Sequence, residues 1–380
     1  MELPIVDYLS DKIGERVGGT KEEKKASEFL SKWMKEMGLK VEVQEFKFLG
    51  WKPTREATLR VLEPEKMEIK PGLMLFSDNT PEGGVTGKLE YAGIMFLIEN
   101  LFEWPKYAVV NDEGNQLAYI VAFLDGPTIS FPLTKMGRCY GRAPYVLIGK
   151  KEYKLFKRWM DKGKDVVVNV NISGEILPHL TSQNVIGMLM GKEVNAEEII
   201  VCAHYDSAYG SPGANDNASG VEAMLKVAEK IIKKETAKTI KFIAFGAEEY
   251  LMIGSSYYVE SLKEKGQVKK IKAVINLDMV GAGNTLTIAY DQKQFDQKII
   301  KKSIDRSRLK PCVKMQSVKL SESSDHWPFY INGVPTIEMN FWPYNHYHQI
   351  TDTKDKIKAN IVDRTAAAAY ALLEELVFRY

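Results

Sequence analysis

Short apolar runs that do not alternate with polar residues mark the C-terminal half of the chain. They cover residues 199–203, 240–245 and 271–277. Such a run is typical of a strand that is buried on both faces of a parallel sheet. Between the first two runs, Val221, Leu225 and Ala228 repeat at the spacing of one helical face, and a long final helix is predicted over residues 360–378. Strands that alternate with helices in this way predict a doubly wound α/β fold.

The start of the chain predicts one helix and one strand. Thr20 and Glu23 have the spacing of a capping box, and apolar residues then recur at helical spacing as far as Gly38, which ends the helix. Beyond Gly38, apolar residues that include Val43 and Phe46 roughly alternate with polar ones. This alternation predicts a strand with one buried face.

Residues 51–174 differ in pattern, because turn-rich stretches separate their short apolar runs. Strands are predicted at residues 119–124, 145–148 and 166–172. Few titratable residues occur in an arrangement that suggests chemistry. We therefore interpret this segment as a β-rich module.

Composition and charge exclude several classes of protein. The 380 residues include 52 Lys and Arg against 50 Asp and Glu, for a formal net charge of +2. Nucleic-acid binding would need a concentrated basic face, so we expect no nucleic-acid partner. No apolar run approaches the roughly 18 residues of a membrane span, and the first residues lack the apolar stretch of a signal peptide. With only 3 cysteines, far apart, a disulfide framework is not expected, and we predict a cytoplasmic protein without a membrane partner.

Ionisable side chains follow the apolar runs, at the strand ends where open α/β sheets bind their ligands. His204 follows the first run, Glu249 the second and Asp278 the third. Asp216 lies in a glycine-bounded loop after the first run, and His348 follows a later one. Imidazole and carboxylate are the ligands that suit zinc and related divalent metals. These residues therefore predict a metal site.

The number of ligands bears on the number of metals. A lone acidic residue at a strand end is usually a helix cap or a salt-bridge partner, but unpaired carboxylates that gather at one place repel each other without a cation. Five ligands from five segments are too many for one tetrahedral zinc. Two divalent ions that share a bridging carboxylate fit better.

The neighbours of these ligands supply further chemistry. Asp206, two residues beyond His204, would suit a carboxylate that fixes the imidazole tautomer. Glu248 and Glu249 are adjacent, so their side chains leave the strand in different directions, and one can bind metal while the other faces a water molecule. The carboxylate that faces water would be the general base. A metal-assisted hydrolase follows from these residues.

Short motifs recur in a fixed order through the same part of the chain. They are His204-Tyr205-Asp206-Ser207, Gly213-Ala214-Asn215-Asp216-Asn217-Ala218-Ser219-Gly220, Ala247-Glu248-Glu249, Asn276-Leu277-Asp278-Met279, Ser324-Asp325-His326 and Tyr347-His348. In order and spacing, residues 175–380 resemble the M28 family of zinc peptidases. The opening helix and strand resemble that family's N-terminal elements. The middle module is similar to the protease-associated domain that many members carry as an insert.

The resemblance implies a fold and a division of the chain. The fold would be a mixed, mainly parallel sheet sandwiched by helices, as in zinc exopeptidases. Residues 1–50 and 175–380 would form the peptidase domain, and residues 51–174 the β-rich insert.

The same resemblance implies a role for each candidate residue. Asp216 would bridge two zinc ions, with His204 and Asp278 on one ion, and Glu249 and His348 on the other. As a separate pair of catalytic groups, Glu248 would be the general base, and Tyr347 would hydrogen-bond the oxyanion of the tetrahedral intermediate.

The implied activity is that of an aminopeptidase, whose substrates are peptides with a free N-terminus. Two departures from the family pattern are Leu251-Met252, in place of a Gly-Leu step, and Gln349, in place of Thr. Neither replaces a ligand, so both concern the shape of the pocket.

Several alternatives stay open. A carboxypeptidase would need cationic groups for a terminal carboxylate, a glutaminyl-cyclase-like enzyme would have a single-metal site, and a non-catalytic receptor would have lost ligands. His346 competes with His348, which we prefer because it follows Tyr347 and precedes Asp352 at the family's spacing. Asp325 either lies near the site without binding metal or caps a helix. The sequence does not indicate an oligomeric state.

Overall fold

The computed structural model describes residues 4–96, 103–133, 143–193, 196–307 and 313–378. By their contacts the residues divide into two compact units. The first unit comprises Met1–Phe48, Thr181–Tyr344 and Ile350–Tyr380, and the second comprises Leu49–Leu180 and Asn345–Gln349.

Helices of very different length occur along the chain. The α-helices are Pro4–Val6 (α1), Lys21–Glu36 (α2), Lys150–Asp161 (α3), Ser219–Ile231 (α4), Ile253–Glu264 (α5), Gln297–Ser307 (α6), Trp327–Tyr330 (α7) and Ala359–Phe378 (α8). Other helical turns are Asp7–Ile13, Ala214–Ala218, Glu248–Tyr250, Val268–Lys270 and Lys354–Lys356. In the part of the chain that the structure describes, no helix combines the length and apolar character needed to cross a bilayer.

The strands of the described residues form two sheets. They are Lys40–Pro53 (β1), Thr58–Glu63 (β2), Met67–Ile69 (β3), Gly72–Leu75 (β4), Val85–Phe96 (β5), Glu103–Val110 (β6), Gln116–Ala122 (β7), Phe131–Pro132 (β8), Tyr145–Ile148 (β9), Val167–Asn171 (β10), Gly174–Leu189 (β11), Glu198–His204 (β12), Thr239–Phe245 (β13), Ile271–Leu277 (β14), Leu286–Tyr290 (β15), Val313–Ser317 (β16) and Thr336–Phe341 (β17).

The eight-stranded sheet has the order β1-β11-β13-β12-β14-β17-β15-β16. Its central strands β13, β12, β14 and β17 are parallel to one another. Strand β11 is antiparallel to β13, and β15 is antiparallel to β17 but parallel to β16. The predicted α/β fold with a mixed, mainly parallel sheet is confirmed.

Strand β12 shows why the central strands are apolar at nearly every position. Ile199 and Val201 face a core that also contains buried residues of α2, α4, α6 and α8. Ile200 and Cys202 face the opposite core, together with residues of α5 and α7. Helices therefore cover both faces of the sheet, and a strand between them needs apolar side chains on both sides. Its first polar side chain beyond the core, His204, comes where the strand ends.

Helix α2 begins at the predicted capping residue. The Thr20 hydroxyl accepts a hydrogen bond from the backbone N–H of Glu23 at 3.2 Å. The Glu23 carboxylate accepts in return from the N–H of Gly19, one residue before the cap, at 2.6 Å. Ala26 and Leu30 on the same helix are fully buried in the core, so this segment is anchored at its start and along one face.

The second unit contains a sheet in the order β3-β2-β10-β5-β6-β7-β9-β4-β8. The strands predicted in this part of the chain correspond to β7, β9 and β10. Helix α3 was not predicted. It buries only Phe156 and Trp159, and two aromatic residues among charged ones are a weak sequence signal for a helix. Both pack in the core that this unit forms from its own residues.

Candidate metal centre

Three potential metal ligands meet at the C-terminal end of β12. His204 is the last residue of that strand, Asp278 directly follows β14, and Asp216 lies in the turn that precedes α4. His204 Nε2 is 3.2 Å from Asp216 Oδ1 and 3.4 Å from Asp278 Oδ1. One donor atom of each residue lies within 4.8 Å of the other two. Sequence-distant residues thus form one cluster.

This cluster fits a zinc ion in both chemistry and spacing. Zinc binds imidazole nitrogen and carboxylate oxygen at about 2.0 to 2.2 Å, so neighbouring donors on a tetrahedral ion are roughly 3.4 Å apart. The distances from His204 Nε2 to the two carboxylate oxygens match that separation. Within the described residues, Asp278 Oδ1 accepts no hydrogen bond, which leaves this buried oxygen available to a cation.

Asp352 holds the loop that carries Asp216. Its two carboxylate oxygens accept the backbone N–H groups of Asn215 and Asp216 at 2.9 and 3.0 Å. The Tyr344 hydroxyl donates to Asp352 Oδ1 at 2.8 Å. Burial raises the pKa of Asp352 to about 6, whereas the two backbone hydrogen bonds oppose this rise. Asp352 therefore fixes the backbone at the candidate ligand Asp216.

Two further side chains link the Asp216 loop to the Asp278 segment. Asn217 donates to the carbonyl of Leu277 at 2.9 Å and accepts from the N–H of Met279 at 3.1 Å. The Ser219 hydroxyl accepts from the N–H of Val280 at 3.0 Å. The glycine-bounded motif thus holds both ligand-bearing loops in one arrangement. Sequence reasoning identified the motif but assigned a role only to Asp216.

Ser324 orients Asp278. Its hydroxyl donates to Asp278 Oδ2 at 2.7 Å and accepts from the Asn276 side-chain amide at 2.8 Å. Within the Ser324-Asp325-His326 motif, Ser324 therefore hydrogen-bonds a candidate ligand. Asp325 is fully buried, and burial raises its pKa to about 7. The alternative that Asp325 caps a helix is wrong, because within the described residues neither of its carboxylate oxygens accepts a backbone N–H.

Asp206 connects His204 to the paired glutamates. Its Oδ1 lies 3.4 Å from His204 Nδ1 and accepts the backbone N–H of Glu248 at 3.0 Å. Its Oδ2 accepts the N–H of Glu249 at 3.1 Å. Because Asp206 is fully buried, it can hold the imidazole and the turn in a fixed relation.

Glu248 points toward the same cluster. Its Oε2 lies 3.9 Å from His204 Nε2, and His204, Glu248 and Glu249 form a second group that can hold a metal ion. Burial raises the pKa of Glu248 well above its usual range, against the opposing effect of His204 and with a further rise from Asp325. A carboxylate with a raised pKa is suited to take up and release a proton near neutral pH.

The pKa of His204 shows which charge the site favours. Burial alone lowers it, but the carboxylates of Glu248 and Asp278 raise it, and the net shift is well above the usual value. Their negative charge therefore favours a positive charge at this imidazole. A divalent cation bound at the same place would supply this positive charge.

His348 and Tyr347 lie in the segment Asn345–Gln349 of the second unit. His348 Nδ1 is 3.0 Å from the carbonyl oxygen of Ser130, and the His348 ring stacks on Phe131 with centroids 6.1 Å apart. If Nδ1–H donates to that carbonyl, Nε2 is the ring nitrogen that would bind a metal. His348 is buried, whereas the competing His346 is half-buried. Its role as a ligand stays a prediction from the sequence pattern.

Comparison with known proteins identifies the family. The model of "Peptidase family M28" matches residues 184–373, which include His204, Asp216, Glu248 and Asp278. The chain belongs to peptidase family M28. The predicted membership is thus confirmed, whereas the likeness of the middle module to a protease-associated domain stays a prediction.

Similar proteins span most of the chain. Aminopeptidase YwaD of Bacillus subtilis is 30% identical over 359 residues, which cover 87% of this chain and 72% of that protein. The solved structure of a zinc aminopeptidase from Bacillus subtilis covers 99% of this chain and 94% of its own, with 25% identity and a TM-score of 0.73. An aminopeptidase from Aneurinibacillus sp. strain AM-1 covers 99% and 93%, with 27% identity and a TM-score of 0.71. These findings support a metal-dependent aminopeptidase.

Proposed function

We propose that this M28 peptidase uses two zinc ions to remove the first residue from peptides with a free N-terminus. The family and the aminopeptidase relatives support the reaction class. The single observation that carries the proposal is the cluster of His204, Asp216 and Asp278 beside Glu248. It joins donors at zinc-like spacing to a buried carboxylate with a raised pKa.

The residues assigned to the metals follow the family pattern. Asp216, His204 and Asp278 would hold one ion, and Asp216, Glu249 and His348 would hold the other. When bound, zinc would lower the pKa of a water molecule and polarise the carbonyl of the first peptide bond.

The chain's own groups then move the proton and stabilise the developing charge. Glu248 accepts a proton from the attacking water and later donates it to the leaving amine. Asp206 keeps the His204 imidazole oriented and holds the backbone of the glutamate turn. The Tyr347 hydroxyl donates a hydrogen bond to the oxyanion of the tetrahedral intermediate.

We also propose the division of the chain into a discontinuous peptidase domain, residues 1–50 and 175–380, and a protease-associated-like insert, residues 51–174. The core that residues of the second unit form by themselves supports a separate domain there. A cytoplasmic location stays a prediction from the sequence.

A panel of short peptides tests the reaction. The panel contains free and N-acetylated forms of each peptide, incubated with zinc-loaded and chelated protein. We expect loss of the first residue from free peptides only, no cleavage after chelation, and recovery when zinc is added. Release of C-terminal residues would instead identify a carboxypeptidase, and zinc-loaded protein that cleaves nothing would identify a scaffold.

A further inference from the structure

Carboxylates accept a row of three consecutive backbone N–H groups at the glutamate turn. The N–H groups of Glu248 and Glu249 donate to Asp206, as described above. The preceding N–H, of Ala247, donates to Glu23 Oε1 at 3.1 Å. Glu23 lies on α2, 224 positions away in sequence and outside the residues 184–373 that the family model matches. A residue of the N-terminal helix therefore contributes to the support of this turn.

The Glu23 carboxylate is fully engaged. It is 1% exposed. Oε1 also accepts from the Ser182 hydroxyl at 2.5 Å, and Oε2 accepts from the N–H of Gly19 at 2.6 Å. Because donors from three different segments meet at one buried carboxyl group, its position is strongly determined.

The backbone around this contact is closely packed. A Cβ atom added to Gly246 would lie 2.7 Å from Glu23 Oε1 and 2.4 Å from Ser182 Oγ. A Cβ atom added to Gly18, near the start of α2, would lie 3.0 Å from Ala247 Cβ. Glycine at both positions therefore allows the N-terminal segment and the turn to approach this closely.

Ala247 has an unfavourable backbone conformation that its surroundings must stabilise. Its φ is +53°, in the left-handed region that residues with a Cβ adopt at a cost. Leu251 and Met252, at the other end of the turn, have φ of +69° and +60°. Conformations of this kind persist where the surrounding structure determines them. The hydrogen bond from Ala247 N to Glu23 is part of that determination, one residue before Glu248.

We propose that Glu23 is a positioning residue, which holds Ala247 in its left-handed conformation and thereby aims Glu248 and Glu249. The inference builds on the proposed function, because it takes these glutamates as base and ligand. Removing the carboxylate leaves the N–H groups of Ala247 and Gly19 without an acceptor in a buried place. Small displacements of reacting groups cost large factors in rate, about 100-fold for 1 Å.

Glu23→Ala and Glu23→Gln test the proposal in steps. Gln keeps the shape of the Glu23 side chain, but its amide nitrogen cannot accept a hydrogen bond. It therefore restores the hydrogen bonds of only one of the two carboxylate oxygens. We expect kcat to fall about 10- to 100-fold in E23A and less in E23Q, with KM within about threefold of wild type. We also expect zinc affinity, measured by competition with a chelator, to fall about tenfold in E23A because Glu249 is displaced.

Two control variants separate positioning from stability. Glu22 is the half-exposed neighbour of Glu23 and pairs with Lys25, so E22A should behave as wild type. Glu222 is a buried carboxylate that accepts the N–H groups of Ile5 and Val6 at 2.8 and 3.2 Å. E222A should therefore lower Tm without lowering kcat or zinc affinity.

The results distinguish a positioning role of Glu23 from a purely structural role. If kcat and zinc affinity of E23A stay within twofold of wild type, or fall no more than those of E222A, Glu23 is only structural. Where E23A does not fold, the same criteria apply to E23Q. The zinc measurement distinguishes this inference from the proposed function: weakened zinc binding in E23A supports the role of Glu23 even if the wild type cleaves no peptide.

Discussion

The carboxylates around His204 differ in what each of them contacts. Both oxygens of Asp206 accept backbone N–H groups, at 3.0 and 3.1 Å. Glu248 instead directs Oε2 toward His204 Nε2, and burial raises its pKa. A carboxylate that is engaged with backbone donors organises a site, whereas one with a raised pKa facing the metal ligands can transfer protons.

Replacing Glu248 by Gln keeps the size of the side chain and removes its ability to accept a proton. We expect kcat to fall by at least about 100-fold, because general acid–base groups contribute roughly 100- to 10,000-fold to rate. Zinc content, measured by metal analysis, should be unchanged. Glu260→Gln is a suitable control, because Glu260 is exposed on α5 and pairs with Lys263. A wild-type kcat in E248Q would exclude Glu248 as the base.

Glu23 should make stability depend on pH. Burial, and secondarily Asp206, raises its pKa from 4.5 to about 8. The folded protein then binds this proton more tightly than the unfolded chain, so the stabilisation is complete below pH 4.5 and is lost as pH rises through about 8. E23Q lacks this titration and should gain stability relative to wild type across that window, by on the order of 1 kcal/mol per pH unit. Urea unfolding of both proteins at several pH values measures the difference; a constant difference would contradict the prediction.

The gathering of the candidate ligands His204, Asp216 and Asp278 could be predicted from the sequence, whereas the contacts of Glu23 and Asp352 could not. His204 and Asp278 stand directly after apolar runs, where a polar residue is conspicuous and its location at the sheet edge follows from the fold. Glu23 lies in a helix of ordinary amphipathic pattern, and its partners include backbone N–H groups far away in sequence. Backbone partners leave no residue type to recognise, so only the folded chain shows this role.

The segment before α2 is held by one buried cation. Arg16 is completely buried and donates to the carbonyl oxygens of Tyr205 at 2.8 Å and Gly213 at 3.0 Å. It also donates to the carbonyl of Gly14 at 2.8 Å. The Arg16 guanidinium thus helps to tie the loop from His204 to the Asp216 turn to the N-terminal segment. Burial lowers the pKa of Arg16 to about 10, although Asp206 opposes this shift.

Arg16→Lys should destabilise the fold despite keeping the charge. The ammonium group lacks the planar fork of donors, and each buried carbonyl left without a partner costs about 1 to 3 kcal/mol. We expect a loss of about 3 kcal/mol or more in the free energy of unfolding, measured with urea on zinc-loaded protein. Arg60→Lys is the control, because Arg60 is exposed and pairs with Glu68, and it should lose less than about 1 kcal/mol. Equal losses in both variants would contradict the assignment.

The elements that the sequence predicted well are those with a strong period. Strands β12, β13 and β14 and helix α8 match their predicted ranges closely. Strand β1 was predicted with Val43 and Phe46 on one buried face, but Val43 is 47% exposed. Residues separated by an odd number of positions point to opposite faces of a regular strand, so this pattern was assigned to one face wrongly. Apolar side chains alone did not show which face is buried.

Each unit of the molecule has a core of its own. Residues of the second unit that include Val109, Val146 and Trp159 form one buried cluster, and that cluster contains no residue of the first unit among those described. A chain of this length can bury enough apolar surface to fold independently. The chain passes from the first unit to the second after Phe48 and returns after Leu180.

Residues 49–180, expressed as a separate chain, should therefore fold. We expect β-rich circular dichroism and one cooperative unfolding transition. Phe156→Ala in the same fragment should lower its stability by about 3 to 5 kcal/mol, because Phe156 is fully buried in this core. Tyr91→Ala is the control, since the Tyr91 side chain is largely exposed. A fragment without cooperative unfolding would show that its core needs the rest of the chain.

The contact between Glu23 and Ala247 also sets a minimum time for assembly during translation. The two residues are 224 positions apart. At about 5 to 20 residues per second, the ribosome adds that length in about 10 to 45 s. Until that length has been made, helix α2 lacks its final partners, and the apolar face of Ala26 and Leu30 lacks the sheet that covers it. A nascent chain should therefore have no peptidase activity until synthesis has passed the glutamate turn and the later candidate ligands Asp278 and His348. Until the turn has been made, its N-terminal helix should be a binding site for chaperones.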